Sequence, residues 1–312
     1  MRLLIAGGTI AMSGSPARPS LEVIEQLQQQ AGAHVEAEVF ATVASVQFTA
    51  DQALALCRRA SEVADEGTPV VVTHGTDLLE EVAFLCDLIY DGDAPVVFTG
   101  AMRTSSAPGA DGPANLAAAV AVASAPTACG LGVLVVFADR VHAARHARKS
   151  DSTSIDAFES PQAAALGYVE EGRLIRRWAP PRLPPLDVSS IDATVEILTP
   201  GLASSPDLVT AAAAICDGLV ISLPGAGHTP PRFLAAAQEV AKTKPVVAVP
   251  RPARGALLRH TYGFEGSEVD LRAGAIVCCS ILSAPAARIA LLAALGAGLS
   301  GPELDELFSR YD

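Results

Sequence analysis

No apolar run in the 312 residues is long enough to cross a bilayer: the longest, Leu116 to Ala123 and Leu131 to Ala138, are far too short, so no membrane-spanning protein is expected. Positive charge is also in deficit. The net charge of −12 argues against the basic surface that nucleic-acid binding needs. Cys57, Cys86, Cys129, Cys216, Cys278 and Cys279 form no CxxC pair and no framework spacing, which excludes a disulfide scaffold. Most sit in apolar contexts where cysteine acts as a small hydrophobe, and the adjacent Cys278-Cys279 reads as two buried strand residues facing opposite ways. Charged residues reach only 18% against 50% hydrophobic ones, a compact composition rather than a disordered one. The start, Met1-Arg2-Leu3-Leu4-Ile5, resembles a signal peptide, but Gly7-Gly8 breaks its apolar segment almost at once. Reduced thiols and this broken leader point to the cytoplasm.

What is present is an alternation of short apolar strands and periodic helices. Strands are expected at Leu3–Ala6, Val70–Thr73, Val96–Thr99, Leu131–Phe137, Leu219–Leu223, Val246–Val249 and Ile276–Ser280. Helices are expected at Leu21–Ala31, Ala50–Glu66, Leu78–Tyr90, Pro113–Ser124, Pro231–Ala241 and Pro285–Gly296, with Asp111 a cap for the fourth. Continuous apolar strands separated by helices indicate an α/β fold with a mostly parallel, doubly covered sheet. Pro180-Pro181-Arg182-Leu183-Pro184-Pro185 holds the chain extended and interrupts this order. The expected organisation is therefore a larger N-terminal catalytic domain over 1–179, a Pro-rich linker over 180–192, and a smaller C-terminal α/β domain over 193–312.

Two threonines fall just after expected strands, in Ala6-Gly7-Gly8-Thr9-Ile10-Ala11 and Thr73-His74-Gly75-Thr76-Asp77. The carboxyl edge of an open α/β sheet is where ligands bind. Glycines there let backbone N–H groups approach a substrate, and a hydroxyl becomes a nucleophile when a neighbouring base activates it. Blander readings stand beside this one. Thr9 could merely satisfy backbone groups, Asp77 with Glu80 could form a helix capping box, and Lys149, in Arg145-His146-Ala147-Arg148-Lys149, could lie on a solvated face. His142 and His146 have helical i, i+4 spacing but no partner ligand, so they read as surface histidines and no metal is expected. Gly225-Ala226-Gly227 is a lone GxG, read as a turn after a strand.

Taken in order, the motifs resemble the bacterial-type L-asparaginase family, the two-domain threonine amidohydrolases. The matching segments are Ile5 to Ala11, Val72 to Glu81, Thr99-Gly100-Ala101-Met102-Arg103 with Asp111 to Leu116, Lys149 before a Ser/Thr-rich stretch ending at Phe158, and Leu166-Gly167-Tyr168-Val169. The resemblance implies hydrolysis of a side-chain amide, in L-asparagine or a related small carboxamide, through an acyl-threonine intermediate with release of ammonia. It implies Thr9, Thr76, Asp77 and Lys149 as the catalytic group, and Gly8, Ser45, Val46, Gly75 and Ala101 around the substrate. No cofactor is implied; a homodimer or homotetramer is.

The chain also departs from the family pattern. No tyrosine follows the first signature, the first in the chain being Tyr90, and Arg18 cannot replace it as a base. In Ala44-Ser45-Val46-Gln47-Phe48-Thr49, Ser45 fits the head-group contact but Val46 cannot hydrogen-bond, and Gln47 in an extended strand would point elsewhere. Gly227-His228-Thr229-Pro230-Pro231 stands in place of an Asn-containing loop, and the acidic residue the family carries near its C-terminus has no clear match around Leu257–Tyr262. Three alternatives stay open: a biosynthetic amidase for a modified carboxamide, a catalytically weak small-molecule-binding protein on the same fold, and an amidotransferase relative, which the acidic charge disfavours.

Overall fold

The computed structural model describes residues 1–14, 16–32 and 34–312, which fall into two compact units, Met1–Pro185 and Leu186–Asp312. In the first unit the elements run β1 (Arg2–Ala6), the paired arms β2 (Met12–Ser13) and β3 (Arg18–Pro19), α1 (Leu21–Ala31), β4 (Glu36–Ala41), α2 (Ala50–Asp65), β5 (Val70–Thr73) and α3 (Leu79–Ile89). They continue with β6 (Val96–Thr99), α4 (Gly112–Ala123), β7 (Val133–Phe137), β8 (Arg140–Ala143), the arms β9 (Arg148–Lys149) and β10 (Phe158–Glu159), and the hairpin of β11 (Gly167–Glu170) and β12 (Arg173–Arg176).

Eight of these strands form one sheet in the order β12-β11-β8-β7-β6-β5-β1-β4. β4, β1, β5, β6 and β7 are parallel, while β8, β11 and β12 add antiparallel strands at one edge. The parallel strands are buried on both faces: Leu3, Leu4, Ile5, Val70 to Val72 and Val96 to Phe98 have no exposure. This is what unbroken apolar runs are suited to, each such side chain contributing about 1.5–3 kcal/mol on burial. From β1 the chain moves to β4 on one side, then returns past β1 to β5 on the other. That reversal puts a topological switch point between β1 and β5, where open α/β sheets bind ligands. Register keeps the edge level, since Ile5 lies opposite Thr73 and Thr73 opposite Thr99.

In the first unit, helix starts follow local side-chain capping at two positions. Ser20 accepts from the Val23 N–H at the start of α1. At α2, the Thr49 hydroxyl accepts from Gln52 N–H and the Gln52 amide oxygen accepts from Thr49 N–H, a reciprocal cap. Asp111 behaves otherwise. It occupies the position before α4, yet its carboxylate does not cap; it accepts from Met102 N–H and Arg103 N–H, each at 2.9 Å.

The histidine expectation is overturned. His142 is a strand residue of β8, 1% exposed, with Nδ1 2.8 Å from the Ser160 hydroxyl, and His146 lies on a 3-10 turn against the Trp178 ring. Burial pushes both imidazoles down to about 4. Among the described residues no group of three His, Cys, Asp or Glu side chains could hold a metal ion, and no helix is long and apolar enough to cross a membrane.

The second unit contains β13 (Val195–Leu198), α5 (Asp207–Ile215), β14 (Gly218–Leu223), α6 (Pro231–Ala241), β15 (Val246–Pro250), α7 (Glu268–Arg272), β16 (Val277–Cys278), α8 (Ala284–Gly296) and α9 (Pro302–Ser309). Its four strands form a parallel sheet in sequence order. Gly225 and Gly227, both at positive φ, turn the chain after β14. The strand expected over Ile276–Ser280 contracts to two residues, with Cys278 and Cys279 both buried and free.

Candidate active site

Four turns meet at the carboxyl edge of β4, β1, β5 and β6. After β1, Gly7 and Gly8 take positive φ of 78° and 80°, a conformation that side chains resist. Gly8 leaves no room for a methyl group, because a Cβ there would fall on the Gly75 backbone. The two threonine turns are therefore in direct contact at Gly8 and Gly75. Gly75 is also pressed by Ser45: a Cβ on it would lie 2.8 Å from the Ser45 Cβ and Oγ. After β6, a Cβ on Gly100 would meet His74 O at 2.6 Å and the Thr76 methyl at 3.2 Å, and Ala101 beside it is buried.

Thr9 opens the 3-10 turn Thr9–Ala11 and is half-buried. Thr76 is buried after β5. Lys149 arrives from β9, whose pairing with β10 sets it opposite Phe158. Its ammonium donates to Thr76 Oγ1 at 3.0 Å and to Asp77 Oδ1 at 2.6 Å. Lys149, distant in sequence, thus joins the adjacent Thr76 and Asp77 in one hydroxyl–ammonium–carboxylate group. The Lys149 N–H donates to the Glu80 carboxylate on the first turn of α3. Burial raises Glu80 to about 7, against the pull of that N–H bond and with the help of neighbouring Glu81. The alternative reading of Asp77 and Glu80 as a capping box does not hold: α3 has no side-chain cap, and both carboxylates turn to Lys149 instead.

Ser45 is buried, but Ser45 to Gln47 is a 3-10 turn rather than the extended strand expected. Val46 is 64% exposed and apolar, and the Gln47 amide oxygen is taken up locally, accepting from Ala44 N–H at 3.1 Å. Arg18 is exposed on β3. Sequence reasoning missed the role of Asp111. It braces the turn after β6 with Asn115, whose side-chain N–H groups reach Asp111 Oδ2 and Gly100 O while its oxygen accepts from Ala138 N–H. It also missed His74, fully buried with Nδ1 2.9 Å from Gly75 O and its ring 4.9 Å from Phe48.

Fold and site define an α/β protein that sets threonine hydroxyls, one joined to a lysine and an aspartate, at the switch point of a parallel sheet. The chain belongs to the asparaginase family and is an amidohydrolase. The family's asparaginase N-terminal model matches residues 1–182, and its glutaminase/asparaginase C-terminal model matches residues 194–308. The chain is similar to a probable L-asparaginase of Deinococcus radiodurans, 32% identical over 322 residues that cover 99% of this chain and 97% of the relative. It is similar also to L-asparaginase 2 of Escherichia coli, 30% identical over 99% of this chain and 92% of the relative. A glutaminase-asparaginase of Pseudomonas fluorescens is 38% identical over 55% of this chain and 51% of that protein.

Proposed function

We propose that the chain hydrolyses the side-chain amide of L-asparagine or a closely related small carboxamide. The Thr9 hydroxyl attacks the amide carbon, the C–N bond breaks, ammonia departs with a proton, and water then hydrolyses the Thr9 ester to release the acid. The Thr76–Lys149–Asp77 group carries the proton between these steps. The observation that carries the reading is the Lys149 ammonium, held between Thr76 Oγ1 and Asp77 Oδ1 at 3.0 and 2.6 Å. A threonine hydroxyl is a poor nucleophile alone, and a lysine bonded to a hydroxyl is a means of moving its proton. Contact between Gly8 and Gly75 sets the two turns against each other. Gly8, Ser45, Val46, Gly75 and Ala101 surround the substrate in this reading, with the Gly8 and Gly75 turns supplying backbone contacts. No cofactor is invoked. The reading extends to a cytoplasmic homodimer or homotetramer, supported by the family resemblance and by free cysteines of which only Cys129 is exposed.

The exposure of Val46 and the local bond of Gln47 favour a second substrate reading, in which the α-amino or α-carboxylate group is gripped weakly and a modified carboxamide is preferred. Buried polar groups left unpaired are costly, so a site with the apolar Val46 at this position selects a less polar head group. Ammonia release over asparagine, glutamine and head-group derivatives, with Thr9→Ala as control, tests both. Loss of release in Thr9→Ala supports the site. Val46→Gln should shift preference toward asparagine. A wild-type kcat/KM on asparagine above about 10⁴ M⁻¹s⁻¹, with derivatives much poorer, contradicts the displaced preference.

A further inference from the structure

The imidazole of His74 carries an unexplained cost. Its Nδ1 lies 2.9 Å from the Gly75 carbonyl oxygen, which can only accept, so the ring proton sits on Nδ1 and Nε2 is left with a lone pair. That Nε2 is buried and has no partner among the described residues. An unsatisfied buried acceptor is destabilising, and an apolar side chain of similar size would avoid that cost. Burial pushes the ring down to about 4, so it is neutral at ordinary pH and its one N–H is committed to Gly75. What the ring does in return is local. The Gly75–Thr76 peptide is planar, so its C=O and N–H point in opposite directions across one rigid unit. Fixing the Gly75 oxygen therefore fixes the direction of the Thr76 N–H, which has no hydrogen-bond partner among the described residues. Gly75 has no side chain to hold this orientation itself, and the Phe48 ring, packed at 4.9 Å, keeps the imidazole in place from the segment that carries Ser45.

We infer that His74 is a positioning residue for the hydrolytic reaction: its Nδ1–H locks the Gly75–Thr76 peptide so that the Thr76 N–H is preset as a donor to the oxyanion formed at the amide carbon. The inference rests on the amidohydrolase reading above. It assigns His74 no proton transfer and no contact with substrate.

The test compares His74→Leu, which keeps bulk without a donor, with His74→Asn, whose side-chain N–H reaches the place of the imidazole Nδ1–H. Both are assayed for ammonia release on the best carboxamide, with melting curves and with Thr9→Ala alongside. Loss of one preset oxyanion donor lowers kcat by about 10²–10³-fold, and misalignment of a donor that remains should lower it by roughly 10–100-fold. His74→Leu is expected to show that loss at a KM within about threefold of wild type, since the donor acts on the transition state. His74→Asn should recover most of kcat. Equal losses in the two variants, a change confined to KM, or an unimpaired His74→Leu would overturn the inference. If only His74→Asn folds, a kcat below about a tenth of wild type overturns it; if neither folds, the ring is structural and the inference fails. An active Thr9→Ala defeats the underlying reading as well, whereas an inactive Thr9→Ala with a fully active His74→Leu defeats the inference alone.

Discussion

Lys149→Met should cost far more activity than stability, and the structure gives both sides of that comparison. The substitution removes an ammonium that donates to Thr76 and Asp77 and keeps an unbranched chain of similar reach. The Lys149 side chain is 15% exposed but its Asp77 partner is 64% exposed, so water screens the pair. Ion pairs of that kind contribute roughly 0.2–1 kcal/mol, and less here after screening. In a protein of this size that shifts the melting temperature by about 2–4 °C or less. Proton transfer by a placed side chain, in contrast, contributes about 10²–10⁴-fold to the rate. At 1.36 kcal/mol per decade this is about 2.7–5.4 kcal/mol. Ammonia-release kinetics and thermal melting on the same preparation make the comparison. The double variant with Thr76→Val should add little, because groups acting as one unit do not lose activity additively. A rate within about threefold of wild type, or additive losses in the double variant, would refute the shared proton path.

Three further outcomes follow from the same geometry. Glu80 in the folded protein titrates near about 7, above its ordinary 4.5, so its stabilising contribution is complete below about 4.5 and is lost as pH rises through about 7. Glu80→Gln keeps an acceptor for the Lys149 N–H and should flatten the decline of melting temperature between about pH 5 and pH 8; an unchanged decline would contradict the assignment. Gly8→Ala should lose about 1–3 kcal/mol of stability or more, together with activity, because its positive φ and the Gly75 backbone both oppose a Cβ; wild-type melting and turnover would contradict the contact between the two turns. Val46→Gln should raise asparagine kcat/KM relative to head-group derivatives, and an unmoved ratio in paired kinetics would contradict the weak-grip reading.

The parallel core was legible because its strands are buried on both faces and therefore apolar throughout: Val70–Thr73 and Val96–Thr99 have the bounds the runs suggest, as do helices Leu21–Ala31 and Pro231–Ala241. β4 was missed because it is a half-exposed edge strand in which Glu36 and Glu38 interrupt the apolar signal. α5 was missed for a related reason: Val209 is its one buried residue, which leaves no periodic stripe to detect. At the site, neighbours in sequence misled. Asp77 with Glu80, and Asp111 before a helix, each had a sufficient local explanation as caps, yet in the fold their carboxylates serve distant groups, Lys149 and the turn after β6. His74 gave no separate signal, because the cost of its unpartnered Nε2 arises only from burial.

The central claim is that Thr9 forms the covalent intermediate while Thr76 serves the proton path. Acid quenching of the wild-type enzyme during turnover of a slow carboxamide, followed by peptide mass spectrometry, tests it most directly. The account predicts an acyl adduct on the peptide containing Thr9, absent in Thr9→Ala and accumulating more slowly in Lys149→Met. An adduct on Thr76, or one on Thr9 that leaves ammonia release unchanged when Thr9 is replaced by alanine, would contradict it.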